Sequence, residues 1–325
     1  MVEIRDKERY FSLIKDFDYI PFSQTEAWYN FYNVRKPLNA RFFVDDETSP
    51  EIAFMGIEKK IAGINMLFLE GECFGKLPVD NKKMKLFFES LGSIGYHIIE
   101  MDSCLIYDPN YEIGIRRGGF LRPVGLFSAS FSTLVHLNKS VQFDKNWHQN
   151  LKKSDKANLK FELSSSISDE QIYIFFELYQ EMLSRKGFGD STQIEQFQQL
   201  VNQPEFSCST VRNSDDKIIC MVLFHQRRSQ CVDLYRVTTP EARENGASFF
   251  IYRELFSALS KLKFESYDMG RLAPSVHSKD AVFKFKSGVK GEYVVYNGEW
   301  AWYRFSILRP LMYFVKRFLM KRIEV

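Results

Sequence analysis

The chain has 325 residues, enough for two domains of ordinary size or one large composite domain. Hydrophobic residues make up 45% of it, which excludes global disorder, and a formal net charge of only +3 argues against a dedicated nucleic-acid coat. With 31 Phe, 16 Tyr and 4 Trp there are rings enough for a core and for a groove that stacks rings, bases or sugars. The five cysteines (Cys73, Cys104, Cys208, Cys220, Cys231) show no CxxC spacing and so encode neither a disulfide framework nor a zinc site. They read as thiols of a reducing compartment. The opening from Met1 to Lys7 is charged, without the apolar core of a leader, and no run approaches the ~20 apolar residues of a spanning helix. A cytoplasmic protein is expected, with room for peripheral contact at the inner face of the plasma membrane.

Taken in chain order, Leu13, Ile14 and Phe17 sit among charges and predict a short helix. A second helix is expected over 25–32, capped by Thr25, with Trp28, Phe31 and Tyr32 on one side. Strands are expected at 42–44, 52–57 and 61–69, separated by the turn-rich stretch 45–50 and by Glu58-Lys59-Lys60. An amphipathic helix follows over 82–91, with Met84, Phe87, Phe88 and Leu91 at helical spacing. Residues 96–101 read as a buried strand, 108–117 as a short helix and 130–137 as another strand.

The second half repeats this order. Helices are expected over 169–185 and 194–201, then strands at 207–212, 218–225 and 231–238, the first two joined by a hairpin turn at 213–216. Helix 247–262, strand 266–269, helix 279–285 and strands near 293–296 and 300–303 complete it. A helix over 144–160 would bridge the halves, and the serine-rich 164–168 is the best linker. The order α–β–β–β–α–β–α–β is that of acetyltransferases of the GNAT type, a mixed sheet with helices on both faces. Two tandem GNAT-like α/β domains are expected, at 1–162 and 163–303, each a mixed, mostly antiparallel sheet. A basic amphipathic helix follows at 304–325.

Five short motifs fall in register along nearly the whole chain. Phe22-Ser23-Gln24-Thr25-Glu26-Ala27-Trp28 has the form aromatic–x–Gln–x–x–x–Trp, and Tyr179 to Phe188 ends in Arg185-Lys186-Gly187-Phe188. Tyr267-Asp268-Met269-Gly270 carries Asp-x-Gly, Phe285-Lys286-Ser287-Gly288 carries Phe-Lys-x-Gly, and Tyr293 to Trp300 closes the set. Together they resemble the FemAB-type aminoacyltransferases. That family moves an amino acid from aminoacyl-tRNA onto an amine of a cell-wall peptide precursor. The resemblance implies the same reaction type without naming the substrate, and no cofactor or metal. Three departures stand out: no second glycine in 271–277, Val289 in place of an aromatic, and no inserted helical arm.

Attack of an amine on an ester or thioester builds a negative oxygen, and a fixed cation beside it is commonly the largest catalytic term. Lys286 is the candidate for that cation, against the alternative of a surface lysine beside Lys284 and Lys290. The resemblance places Phe285 with it at the aminoacyl end of the donor. Asp268, at the mouth of a buried strand, would orient the amine or hold a proton, or else cap the next loop through backbone amides. Arg236 and Arg185, at element ends, suit phosphates, carboxylates or structural ion pairs. Arg236 is assigned to the donor; Arg185, Tyr235, Gln24 and Trp28 are assigned to the acceptor. Arg243-Glu-Asn-Gly246-Ala-Ser248 partly matches the acetyltransferase turn that holds a pyrophosphate at a helix start, which keeps an acyl-CoA donor open.

Lys152, Lys153 and Lys156 suit tRNA or substrate phosphate, or simply a solvated helix face. From Ile307 onward, Leu308, Leu311, Met312, Phe314, Val315, Phe318, Leu319 and Ile323 alternate with Arg309, Lys316, Arg317, Lys321 and Arg322. This pattern fits a helix lying on an anionic membrane over 307–323, or a last helix packed on its own domain. The expected function is aminoacyl transfer from aminoacyl-tRNA to an amine of a cell-wall or glycan precursor. The alternatives are an acyl-CoA-dependent N-acyltransferase acting on an amino sugar or a glycan or lipid precursor, and a non-catalytic precursor-binding protein at the membrane.

Overall fold

A computed structural model describes residues 1–123, 131–187, 192–201, 203–272 and 281–319. Expectations resting on Ser130, Phe188, 273–280 or 320–325 lie outside the described residues. The chain runs β1 (Val2–Ile4), α1 (Lys7–Ile14), α2 (Glu26–Arg35), β2 (Ala40–Val44), β3 (Ile52–Ile61), β4 (Ile64–Glu70), β5 (Cys73–Phe74) and α3 (Asn81–Gly92). It continues through β6 (Ile98–Ile106), α4 (Pro109–Arg117), β7 (Phe131–His136), α5 (Lys145–Ser154), β8 (Lys160–Ser164), α6 (Asp169–Lys186) and α7 (Ile194–Leu200). Then come β9 (Phe206–Arg212), β10 (Ile218–Arg227), β11 (Gln230–Thr238), α8 (Pro240–Glu244) and α9 (Ala247–Lys261). The remainder is β12 (Ser266–Leu272), α10 (Ala281–Ser287), β13 (Glu292–Tyr303) and α11 (Leu308–Phe314).

The chain divides into two compact units. Unit 1 comprises Met1–Tyr29, Lys36–Phe131 and Val294–Val325, and unit 2 comprises Asn30–Arg35 and Ser132–Tyr293. In unit 1 the strand order is β1-β2-β3-β4-β6-β13, antiparallel except for the parallel pair β4–β6. Met84, Phe87, Phe88 and Leu91 of α3 are all buried, as their spacing requires, and pack with Phe54, Tyr111, Phe120 and Trp300. In unit 2 the order is β7-β12-β11-β10-β9-β8, with β11–β12 parallel and β8 to β11 an antiparallel meander. Its core joins Trp147, Ile251, Tyr252, Leu255, Tyr267 and Phe285. Each unit is a mixed, mostly antiparallel sheet flanked by helices, in the GNAT-like arrangement.

The unit boundaries differ from the halves expected at 1–162 and 163–303. Val294–Tyr303 falls in unit 1, where β13 pairs with β6 from Tyr296↔Ile106 to Tyr303↔Ile98. Residues 132–162 fall in unit 2. Alternation along a strand says that it pairs, not with which sheet. The expected bridging helix 144–160 is α5 followed by β8, and β8 joins the sheet edge beside β9. In the expected linker, Ser164 ends β8 and Ser168 caps α6 in a reciprocal capping box with Gln171. The turn expected at Glu58-Lys59-Lys60 sits instead at Ala62-Gly63, both at positive φ, so β3 runs on to Ile61. The two closing strands are one, β13, with an irregularity between Tyr296 and Gly298.

Candidate active site

The site is built where β11 and β12 leave their parallel ladder in unit 2. That ladder runs Gln230↔Ser266, Cys231↔Tyr267 and Val232↔Asp268. On its other side β11 pairs with β10, and a bulge there sets Leu223 opposite Tyr235 but Phe224 opposite Asp233. The extra residue, Leu234, shifts the alternation by one. Asp233 and Arg236, three apart, therefore stand opposite Phe224 and Val222 and share a face. Tyr235 goes to the other face, edge-on to Tyr179, Phe197 and Phe175 at 5.7, 5.2 and 6.5 Å.

Around Asp233 the chain assembles a polar cluster inside an apolar shell. The Tyr252 and Tyr267 hydroxyls both donate to Asp233 Oδ1, at 2.7 and 2.8 Å. Burial pushes the Asp233 carboxyl above its ordinary value, opposed by the Lys286 charge, the two tyrosines and Arg236. The half-buried Lys286 projects from α10 and donates to the Gly270 and Arg271 carbonyls, each at 3.2 Å. An ammonium has three N–H groups, so among the described residues two hold the side chain and one is left to meet a ligand. Burial lowers the Lys286 pKa below the usual lysine range; Asp233 and Asp268 pull it back up, and Arg236 lowers it further.

Gly270 explains itself here. Its φ is +73°, and a Cβ would stand 3.3 Å from Lys286 Nζ and 3.3 Å from the Asp233 carbonyl oxygen. Phe285, next to Lys286, is fixed by its backbone: the Trp147 indole N–H donates to the Phe285 carbonyl at 2.8 Å. Its ring packs against Trp147, Phe249 and Tyr252, and the Arg236 guanidinium lies over it at 4.1 Å. Phe285, Arg236 and Lys286 thus come together as one group.

Asp268 is turned inward on the chain. It accepts from the Gly270 N–H (2.8 Å) and shares with the Gly270 carbonyl, itself 2.8 Å from Ser132 Oγ, the single hydrogen of the Ser132 hydroxyl. The loop-capping alternative describes this geometry, and Asp268 braces the glycine on which Lys286 rests. Asp233, Tyr252, Tyr267, Ser132 and Trp147 were not singled out from the sequence. Only the lone acid inside an otherwise apolar strand, Cys231-Val232-Asp233-Leu234, offered a signal for Asp233.

The donor turn is more self-contained than the sequence suggests. Gly246, at φ +81°, caps α9, and a Cβ there would stand 2.4 Å from the Asn150 carbonyl oxygen. The Ala247 N–H at the start of α9 is taken by Asn245 Oδ1 at 3.0 Å, and Arg243 donates to the Thr238 carbonyl at 2.9 Å. We expect Gly246→Ala to destabilise unit 2 by about 1–3 kcal/mol, from backbone strain plus the clash. A urea-unfolding midpoint checks this; an unchanged midpoint would mean that the turn yields freely.

Of the four residues assigned to the acceptor, Gln24 and Trp28 lie in unit 1 and Arg185 and Tyr235 in unit 2. Gln24, fully buried in unit 1, donates to the Met55 and Glu70 carbonyls (3.0 and 3.1 Å) and accepts from the Met55 N–H (2.6 Å). Its amide braces β3 against the end of β4. Trp28 is buried edge-on to Phe22 at 4.8 Å, just after the Thr25 cap that receives its N–H. Arg185 is exposed near the end of α6, and Tyr235 sits in the aromatic cluster behind β11.

Unit 1 has a counterpart at the same place in its own sheet. Its parallel ladder ends at Glu70↔Asp102, and just beyond lie Glu72, wholly buried, and Ser103, whose hydroxyl donates to Glu72 Oε1 at 2.6 Å. The Ser103 and Tyr111 hydroxyls favour the carboxylate, but burial outweighs them and pushes Glu72 up to about 7.

No family model and no curated protein sequence matches the chain. Solved structures do. FemX superposes with a TM-score of 0.76 at 13% identity, over 96% of this chain and 100% of that one. The chain has the FemX fold. L-PGS from Bacillus licheniformis follows at 0.63 and 13% identity, covering 98% of each chain. The C-terminal DUF2156 domain of a putative lysylphosphatidylglycerol synthetase from Agrobacterium fabrum reaches 0.58 at 14%, over 94% of this chain and 93% of that one. At such identities the FemX likeness is one of fold, and the chemistry must be argued from the residues.

Proposed function

We propose that this chain is an acyl-group transferase that moves an aminoacyl group from aminoacyl-tRNA onto an amine of a cell-wall or glycan precursor. The observation that carries the reading is the Lys286 ammonium, held by two backbone carbonyls beside the Arg236–Phe285 stack, with one N–H left over. The acceptor amine attacks the activated acyl carbon directly, the ester carbonyl oxygen gains charge, and Lys286 stabilises that oxyanion. Collapse of the adduct expels the ribose oxygen, and the amine proton passes to it or to solvent. The positioning of both reactants supplies much of the remaining acceleration. Exposed Lys152, Lys153 and Lys156, at the end of α5 in the same unit, suit a polyanionic donor. The fold neighbours include proteins whose names refer to lysylphosphatidylglycerol synthesis, and this agrees with acyl transfer as the chemistry.

Coenzyme A is the less favoured donor. At the turn it would use, Asn245 already takes the Ala247 N–H and the Asn150 carbonyl stands against Gly246. The test is filter binding of charged tRNA over a salt series beside calorimetric titration with coenzyme A. Retention of tRNA should fall steeply with salt as phosphate contacts release counterions. Tight coenzyme A binding, weakened by Arg243→Ala, with no tRNA retained at low salt, would overturn the donor. Gly246 variants are unsuited to this test, because the fold depends on that glycine. Silence from both donors would favour a non-catalytic precursor-binding protein.

A further inference from the structure

The last described helix carries two apolar stripes, and unit 1 uses only one of them. Leu308 and Met312 turn onto Met66 and Ile98, with Ile64, Phe68 and Tyr303 closing around them. One turn on, Lys316 is almost wholly buried, its ammonium 2.8 Å from the Glu100 carboxylate. That side is fastened to the unit. On this side the helix packs on its own domain, the second of the two expectations for it. On the second face Ile307, Leu311, Phe314 and Phe318 recur at steps of four, three and four and are 43–69% exposed. Phe305, just before them, is 52% exposed, and the Phe314 and Phe318 rings meet at 4.8 Å. Five large apolar side chains in one stretch, shown to water, mark a contact surface.

The charges around this stripe select its occupant. Residues 304–319 contain no Asp or Glu, and Arg304, Arg309 and Arg317 are exposed, with the Arg317 guanidinium 5.5 Å from the Phe318 ring. The β3–β4 turn extends the same surface. Lys59 lies 4.7 Å over the ring of Phe68, which itself packs on the Leu308–Met312 stripe, and Ile61, two residues on, shares that face of β3, both exposed. We propose that this face of unit 1 lies on an anionic bilayer. Ile307, Leu311, Phe314 and Phe318 would enter the headgroup–acyl boundary, while Lys59 and Arg317 meet lipid phosphates.

The test is sedimentation of the full chain with vesicles of phosphatidylglycerol and phosphatidylcholine, beside phosphatidylcholine alone. The intact protein should pellet with the anionic vesicles, less at raised salt, and poorly with the neutral ones. The double variant Phe314→Ser, Phe318→Ser and the double variant Lys59→Glu, Arg317→Glu should each weaken binding by roughly tenfold or more. Their circular dichroism should be unchanged, because none of the four side chains is in the core. Three results would overturn the proposal: no binding at low salt, variants that bind like the parent, or equal binding to neutral vesicles. A concentration-dependent dimer that Phe314→Ser, Phe318→Ser abolishes, without vesicle binding, would assign the surface to a second copy instead.

Discussion

Replacing Lys286 with alanine is expected to lower turnover about 10²-fold or more while the protein remains folded, as removal of one oxyanion donor does in other acyl-transfer sites. The side chain is half-buried at the end of a short helix, and its loss also removes a charge that steadies the buried Asp233, so folding must be checked beside activity. The measurement is transfer of labelled aminoacyl groups, with circular dichroism as the check on folding. The pH profile adds a sharper readout. Burial has brought the Lys286 pKa below the usual lysine range, so activity should decline as pH rises through that lowered value. Lys286→Arg places a cation that does not titrate there; it should keep part of the turnover and lose the alkaline limb. Full turnover in folded Lys286→Ala would remove this lysine from the reaction.

The second large effect concerns stability and sits in the other unit. Glu72 has a folded-state pKa of about 7 against 4.5 for the free side chain. The folded state therefore holds this proton more tightly than the unfolded chain does. The stabilisation is complete below 4.5, is lost as pH rises towards 7, and amounts to about 3 kcal/mol across that window. Glu72→Gln keeps the shape and cannot ionise, so its unfolding free energy should lack this slope. Urea unfolding of both proteins at a series of pH values gives the difference directly. His225, held down to about 3 by burial, titrates with the opposite sign but identically in both proteins, and cancels. A difference that stays constant from pH 4.5 to 8 would show that Glu72 does not carry the proton.

Both predictions rest on the way each half of the chain ends its parallel strand pair. Strand, helix and cap positions were legible because they are local. Four apolar residues of α3 at helical spacing and Thr25 ahead of Trp28 need only neighbours a few residues away. The Phe285-Lys286 pair was legible as a motif, and so was the basic, apolar pattern after Ile307.

What only the tertiary structure decided depends on partners far along the chain. One missing step in the alternation, the bulge at Leu234, turns Asp233 and Arg236 to one face and Tyr235 to the other, and no periodicity in the sequence announces it. That the Gly270 and Arg271 carbonyls, fifteen or so residues earlier, hold the Lys286 ammonium is written in no local pattern. Gln24 fits a binding motif by sequence, yet its amide is satisfied by backbone 31 and 46 residues away. β13 looks like the end of the second half and pairs with β6 of unit 1, because a hydrophobic strand specifies a buried face rather than an address. Local pattern determines what a segment becomes; which polar group a side chain meets is settled only when distant segments desolvate one another.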